Sequence, residues 1–307
     1  MKKAFVTGGA GFIGSQLAEE LLKEDYEVHI IDNLSSGYRK YIPDGALFHH
    51  LDICSASAKD IIIKEKPDVL FHLAAQADVS RSIKNPQHDA EVNIIGTINM
   101  LEACREAGGC KLIFSSTSAV YGNLDKNRIS IEDPALPISY YGLSKLAAEN
   151  YIRIYHELYQ LPTTILRYGN VYGPRQTPKG EGGVVAVFLN KLKNRQPLTL
   201  HGNGKQTRDF IYVRDVVSAN LAAVRNGNGQ TLHVSTGKPT SIQEVAGILA
   251  ELHPEEAELI YTNSRPGDIE HSCLNNEQTI RVLGWQPEMN MKAGLKAAYR
   301  SMQNESF

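Results

Sequence analysis

Thr7-Gly8-Gly9-Ala10-Gly11-Phe12-Ile13-Gly14 is the stretch that decides the fold. Ahead of it, Ala4 to Val6 is a short apolar run closed by Thr7; behind it, the apolar residues from Ile13 to Leu22 recur at helical spacing. Strand, glycine-rich turn and helix therefore follow one another directly. Glycines at G-x-x-G-x-x-G spacing lack the Cβ atoms that would hold a ligand off the backbone, and the helix N-terminus adds partial positive charge. In that context the turn cradles a pyrophosphate. A bare tight turn would use the same glycines, but it would not require the acid that comes next. Asp32 stands 18 residues beyond Gly14, at the end of the strand-like run Val28 to Ile31. A carboxylate there accepts from an adenosine ribose and disfavours the extra phosphate of NADP, so the pair reads as an NAD site.

Further along, apolar runs at Val69 to Leu73 and Leu112 to Phe114 alternate with helical stretches such as Val92 to Ala107. This alternation predicts an α/β fold, a Rossmann-like doubly wound parallel sheet, over residues 1–168. From about Arg167 the rhythm changes. Gly173, Pro174, Pro178, Gly180, Gly182 and Gly183 mark a long irregular connection before a helix predicted from Val184 to Leu192. Residues 169–307 are expected to form a smaller C-terminal α/β substrate-binding domain. It is discontinuous, because the strand-like run Gln230 to Ser235, near 230–236, is expected to return to the main sheet.

Composition narrows the function. Lys plus Arg number 32 against 34 for Asp plus Glu, a formal charge of -2 that gives no general pull toward nucleic acid or an anionic membrane. Cys54, Cys104, Cys110 and Cys273 are scattered without a C-x-x-C pair, so they read as reduced thiols and not as metal ligands. His72, inside a buried-looking strand, reads as structural or cofactor-adjacent. Met1 to Thr7 runs straight into the first strand, and no apolar stretch approaches the ~20 residues of a membrane helix. The expectation is a soluble, cytoplasmic enzyme without a metal.

Tyr141-Gly142-Leu143-Ser144-Lys145 places a phenol and an ammonium four residues apart, on one face of a helix. A phenol is a poor base at neutral pH, but neighbouring positive charge favours its phenolate, and Tyr141 could then remove a hydroxyl proton. Upstream, Ser115-Ser116-Thr117-Ser118-Ala119 follows an apolar run and puts hydroxyls at the C-terminal edge of a strand, where open α/β sheets bind ligands. Some of these hydroxyls serve turns or helix caps.

Taken in this order, the glycine fingerprint, Asp32, the Ser-Ser-Thr segment and Y-x-x-x-K resemble the extended short-chain dehydrogenase/reductase family. Similar stretches are His72-Leu73-Ala74-Ala75-Gln76, Asn93-Ile94-Ile95-Gly96-Thr97, Leu166-Arg167-Tyr168-Gly169-Asn170-Val171-Tyr172-Gly173-Pro174-Arg175 and Arg208-Asp209-Phe210-Ile211-Tyr212-Val213. The resemblance implies that Thr117 shares a proton with a sugar 4-hydroxyl, that Tyr141 is the base and that Lys145 anchors the nicotinamide ribose. It implies an NAD site that includes Gly8, Gly11, Phe12, Ile13, Asp32, Asn33, Ser36, Gly37, Asp52 and Ile53, continuing through Leu73, Ala74, Ala75, Gln76, Asn93, Ser115 and Tyr168. It also implies a homodimer through helices near Asp89 to Ala107 and Tyr141 to Tyr159.

Within the family, dehydratases and decarboxylases carry an acid just after the Thr, whereas this chain has Ser118-Ala119. Epimerisation at C4 of a UDP-hexose is what the resemblance then implies; the rivals are a UDP-glucuronate 4-epimerase or decarboxylase and a non-catalytic NAD-binding sensor. For the sugar nucleotide it implies Asn170, Gly183, Val184, Leu200, His201, Arg208, Arg265, Asp268 and Ser272. Guanidiniums at Arg208 and Arg265 suit a diphosphate. Two positions depart from the family pattern: Gly182-Gly183-Val184 replaces Asn-Asn-Leu, and the small Ser272 falls where some members carry Tyr. Ser272 leaves room for a 2-acetamido group, so UDP-N-acetylglucosamine is expected as a substrate beside UDP-glucose.

Overall fold

The computed structural model describes residues 2–124, 126–178, 183–255, 257–263 and 270–304. Ala4, Phe5 and Val6 are fully buried because β1 (Lys3–Thr7) lies inside a sheet covered on both faces, which is why the run is apolar without alternation. After α1 (Phe12–Lys23) the chain lays β2 (Glu27–Asp32) and β3 (Leu47–His50) outward from β1. It then crosses through α2 (Ala56–Glu65) back to β4 (Val69–His72) on the other side of β1. The helices α3 (Val79–Lys84), α4 (Pro86–Ala90) and α5 (Gly96–Glu106) lead to β5 (Lys111–Thr117), and α6 (Tyr140–Tyr159) leads to β6 (Thr163–Tyr168).

The second half contributes β7 (Asn170–Tyr172), α7 (Val184–Lys193), β8 (Leu198–His201), β9 (Thr207–Tyr212) and α8 (Val213–Arg225). There follow β10 (Gln230–Val234), β11 (Pro239–Ser241), α9 (Ile242–Leu252), β12 (Leu259–Thr262), β13 (His271–Ser272), α10 (Glu277–Leu283) and α11 (Met291–Asn304). The main sheet has seven strands in the order β10-β6-β5-β4-β1-β2-β3, all paired in parallel. Strand order reverses between β1 and β4, and such a reversal opens a crevice at the carboxyl ends of the strands.

Three apolar clusters hold these layers. Leu17, Leu21 and Val216 pack one face of the sheet at Val6, Ile30 and Phe71. Ile62, Met100 and Ile152 pack the other at Phe5, Leu70 and Phe114. Phe188, Phe210, Val245 and Leu295 form the third, away from the main sheet. Cutting any of these side chains to Ala costs about 2–5 kcal/mol. In the second half, β9 carries β11 and β13 at one end and β7 at the other, while β8 pairs with β12.

Two elements differ from the sequence expectation. The helical path expected from Val92 begins earlier, at Pro86, where the Asn85 side chain caps α4, and it passes through a π-helical turn at Glu91–Ile95 before α5. β5 extends past Phe114 because its polar end still pairs: Ser115, Ser116 and Thr117 lie opposite Leu166, Arg167 and Tyr168. No helix of the described residues is long and apolar enough to cross a membrane.

Candidate active site

At the carboxyl ends of β1, β4 and β5 a cleft of about 560 Å³ takes in both the glycine-rich turn and the catalytic candidates. Gly8 adopts φ +70°, and its N–H donates to Ile31 O at 2.9 Å. A Cβ on Gly14 would stand 2.3 Å from Gly8 O, so α1 can begin against the turn only without one. At its start α1 has Gly11 and no side-chain cap, which leaves first-turn N–H groups to an anion. Asp32 accepts from Ala10 N at 3.0 Å and Leu34 N at 2.8 Å, one bond per oxygen, and each oxygen keeps a lone pair for a ribose hydroxyl. Asn33 donates to Asp52 at 2.7 Å and ties the ends of β2 and β3 together. The residues present therefore fit a dinucleotide.

His72 is wholly buried beneath this end of the cleft. Thr97 Oγ1 donates to Asn93 O at 2.7 Å and so accepts from His72 Nε2 at 3.1 Å. Thr7 Oγ1 accepts from Ala74 N and donates to His72 Nδ1 at 2.7 Å. The ring is thus neutral with its proton on Nε2, and burial, reinforced by the charge of Lys145, pushes its pKa down to about 3. The expected structural role fits this geometry.

Thr117 ends β5 and caps the 3₁₀ turn that follows, with its hydroxyl accepting from Ala119 N at 3.1 Å. Tyr141 and Lys145 occupy the first two turns of α6, which Ser139 caps by accepting from Gly142 N. A Cβ at Gly142 would meet Ala119 O at 2.6 Å; this glycine brings the Tyr141 turn against the Thr117 turn. Lys145 is buried, with Nζ 4.0 Å from the centroid of the Phe114 ring, a cation–π contact that holds the ammonium in the sheet-facing layer. Thr117, Tyr141 and Lys145 all line the one cleft. A hydroxyl, a phenol and an ammonium around a dinucleotide site are equipped to move a proton to and from a ligand alcohol.

Across the cleft stand Asn170 on β7, Gly183 and Val184 at the start of α7, Arg208 on β9 and Ser272 on β13. Ser272 pairs with Arg208 in the parallel register of β13 and β9. Asp209 fixes that register from behind: it accepts from Leu274 N at 3.2 Å, Gly237 N at 3.0 Å and Thr236 N at 2.8 Å. Burial pushes its carboxyl up, against the pull of these N–H groups.

Of the cofactor candidates, Gly8, Gly11, Phe12, Ile13, Asp32, Asn33, Ser36, Asp52, Ile53, Leu73, Ala74, Ala75, Gln76, Ser115 and Tyr168 line the cleft. Asn93 lies behind the wall, where it binds Gln76 N and O and the Ser144 hydroxyl, so it supports the site without facing it. Gly37 packs against Ala10, also behind the lining. Leu200 and His201 are not brought to the cleft: Leu200 is buried in the third apolar cluster, and His201 bonds to Thr262 at 2.8 Å. Arg265 and Asp268 lie outside the described residues. Sequence reading missed Arg81, His88, Arg175 and Gln176, which line the cleft. Arg175 sits inside a quoted stretch, and its bond to Ser15 Oγ at 2.9 Å clamps the second half onto α1.

A family model described as the NAD dependent epimerase/dehydratase family matches residues 4–235. The chain is 38% identical to UDP-glucose 4-epimerase of Mycolicibacterium smegmatis, with 99% of each protein covered. It superposes at a TM-score of 0.95 on the UDP-glucose 4-epimerase of Thermotoga maritima solved with UDP-glucose, at 38% identity over 98% of this chain and 99% of the other. On the Thermus thermophilus UDP-glucose 4-epimerase in complex with NAD the TM-score is 0.93, again at 38% identity, over 99% and 100%.

Proposed function

The chain belongs to the NAD-dependent epimerase/dehydratase family, and from that premise we propose that it inverts C4 of a UDP-hexose by transient oxidation to the 4-keto sugar. The observation that carries the reading is the meeting of Thr117, Tyr141 and Lys145 in one cleft with the glycine cradle and no carboxylate at Ser118 or Ala119. Bound NAD supplies a reversible acceptor for the hydride of C4. Gly8, Gly11, Asp32 and the exits of β4 and β5 would hold it.

Tyr141, with Thr117 beside it, takes the proton of the 4-hydroxyl as C4 is oxidised, and Lys145 favours the phenolate that does so. Once the ketone has presented its other face, Tyr141 returns the proton as the alcohol is restored with inverted configuration. Nothing is consumed. Dehydration or decarboxylation would need a further acid or base beside the ketone, and Ala119 offers none. Arg208 faces the diphosphate, and Ser272 leaves space at C2, which extends the substrates to UDP-N-acetylglucosamine.

A homodimer accompanies this reading. Leu143, Tyr151, Ile154 and Leu158 form one stripe along α6, between 42% and 68% exposed, and Ile95 stands exposed at the start of the neighbouring α5. A helical stripe of this kind suits pairing with its own copy.

The test is to incubate the purified chain, without added NAD, with UDP-glucose, UDP-N-acetylglucosamine and UDP-glucuronate separately and to identify the products by NMR. Each of the first two is expected to convert to its own C4 epimer without change of mass. Release of carbon dioxide from the third, or conversion of the glucuronate alone, would replace the reading by its rival. Tyr141→Phe is expected to lose roughly 10²–10⁴-fold in rate while still binding UDP-sugar.

A further inference from the structure

A buried charge cluster lies beside the catalytic pair, and no step above uses it. Glu149 sits four residues beyond Lys145 and eight beyond Tyr141 on α6, so the three share one helix face. Each step of four residues is roughly 6 Å of helix rise. The Glu149 carboxylate is fully buried and accepts from Ser116 Oγ at 2.5 Å, from Arg167 Nε at 2.9 Å and Nη2 at 2.6 Å, and from Arg153 Nη2 at 2.7 Å. Ser116 precedes Thr117 on β5. The other arm of Arg167 donates to Tyr121 Oη at 2.6 Å; that hydroxyl donates to His233 Nε2 at 2.5 Å, and His233 Nδ1 donates to Asn275 O at 2.8 Å. Asn275 lies three residues past Ser272. One chain of hydrogen bonds thus runs from the helix that bears Tyr141, past the strand that bears Thr117, to the segment that presents Ser272.

Its protonation is fixed at neutral pH. Burial pushes Tyr121 up to about 12 and His233 down to about 4, so the phenol keeps its proton and the imidazole stays neutral. Against the cost of burial, Arg167 holds the Glu149 carboxyl below its ordinary value. Two guanidiniums face one carboxylate, and the cluster carries one net positive charge. Other groups face the same layer: Lys145 on α6, His72 on β4 and Asp133, whose charge bears on Tyr121 and His233. Asp78, Arg81 and His88 also line the cleft, and α3, which carries Arg81, packs against the start of α6, where Ser82 Oγ accepts from Tyr141 N at 3.2 Å. The variants below leave all of these in place.

We propose that Glu149 is a positioning residue for the C4 inversion: through Ser116 it locks the Thr117 strand in register with the Tyr141–Lys145 helix, and its charge sets the pH at which that pair works. A buried charge acts on its neighbours with little screening, so removing the carboxylate leaves the arginines uncompensated and favours the phenolate. Removing an arginine does the reverse, more weakly at Arg153, whose side chain is 39% exposed and partly screened by water.

The inference rests on the epimerase reading, and its test keeps the two apart. The rate of C4 inversion is followed against pH for the wild type, Glu149→Gln, Arg153→Met and Ser116→Ala, with UDP-glucose as substrate. In Glu149→Gln kcat is expected to fall about 10-fold or more with KM little changed, and the rising limb to move down by about half a pH unit. Arg153→Met, whose side chain is 39% exposed and so tolerant of change, is expected to move the limb upward. Ser116→Ala is expected to lower kcat several-fold and leave the limb in place. Limbs that stay put in both charge variants, or that move the same way, would overturn the proposal and leave Glu149 a stabilising residue only. Should Glu149→Gln fail to fold, the upward limb of Arg153→Met and the unmoved limb of Ser116→Ala decide by themselves. A wild type that inverts no UDP-sugar overturns the epimerase reading instead.

Discussion

The two ends of the cleft are built on different plans. At the cofactor end, Gly8 to Gly14, Asp32, Asp52 and Leu73 to Gln76 each end or follow a strand of one parallel sheet, and every contribution is local to the strand that delivers it. At the end proposed for the sugar, Asn170, Val184, Arg208 and Ser272 come from a short strand, a helix start and two more strands that are far apart in sequence. The first end is set by backbone stereochemistry, and the second by packing between distant segments. Substitutions at the cofactor end should therefore act on folding and NAD retention together, whereas those at the sugar end should act on substrate choice.

The largest effect expected from this contrast is that of Gly14→Ala. The new Cβ would stand 2.3 Å from Gly8 O and 3.0 Å from Gly9 Cα, both backbone atoms that cannot swing away. The turn has to shift, at a cost of about 3 kcal/mol or more, and the pyrophosphate cradle shifts with it. Urea unfolding and the absorbance of co-purified NAD are the measurements. A variant that keeps both stability and bound NAD would show that the cradle is softer than its geometry.

Ser272→Tyr is the matching probe at the sugar end. Ser272 is nearly buried at the cleft wall opposite Arg208, and a phenol there fills the space assigned to a 2-acetamido group. Activity on UDP-N-acetylglucosamine is expected to fall about 100-fold, with activity on UDP-glucose changed by no more than a few-fold and the unfolding midpoint unmoved. Equal rates on both sugars would remove Ser272 from the specificity wall.

Two buried histidines sharpen the comparison through pH. His72 beneath the cofactor end is pushed down to about 3, and His233, on the chain that leads to Ser272, to about 4. Unfolded histidine titrates near ~6.5, so below that pH the unfolded chain binds protons that the folded chain refuses. Each ring therefore contributes stability that is present above about 6.5 and is lost as pH falls, at up to roughly 1.4 kcal/mol per pH unit, until the folded ring itself titrates. Urea midpoints at pH 7, 6 and 5 should drop in the wild type, and His72→Gln and His233→Gln should each flatten the drop. An unchanged slope in either variant would mean that its ring takes up a proton without unfolding.

What could be read from the sequence follows the same division. The glycine turn, Asp32 and the Y-x-x-x-K helix announce themselves because each signal lies within a few consecutive residues and its chemistry needs those residue types. β1, β2, β4 and β5 were readable as apolar runs because both faces are covered there, whereas β3, a partly exposed edge strand with the sequence Leu47-Phe48-His49-His50, and β6 gave no such run to name. By contrast, nothing near Asn93 tells that it turns into the wall to bind Gln76 and Ser144, since that depends on the π-helical turn in its path. Leu200 was expected at the substrate from the family resemblance alone, and only the packing of distant segments shows that its side chain fills the third apolar cluster. The Glu149 cluster was illegible for a related reason: its partners lie on β5, β6 and α6, and only the parallel register brings them together.

The smallest effect is expected at Gly183, and it tests the contrast from the other side. Here too a glycine stands where a helix begins and a ligand is expected, just as Gly11 precedes α1. Both have extended backbone, with φ −90° and ψ −175° at Gly11, and the resemblance ends at the surroundings, because a Cβ on Gly11 would stand 3.1 Å from Gly8 O. Gly183 has φ −62° and ψ 166°, a conformation any residue adopts, and among the described residues a Cβ on it would meet only Gln176 Nε2 at an ordinary 3.5 Å. The cost of Gly183→Ala is then that of a poorer helix cap, about 1 kcal/mol or less, and NAD content should be unchanged. If this variant instead lost as much stability and NAD as Gly14→Ala, the sugar end would also depend on a backbone cradle. The division between a cofactor end set by the turn and a sugar end set by packing would then fail at its simplest point.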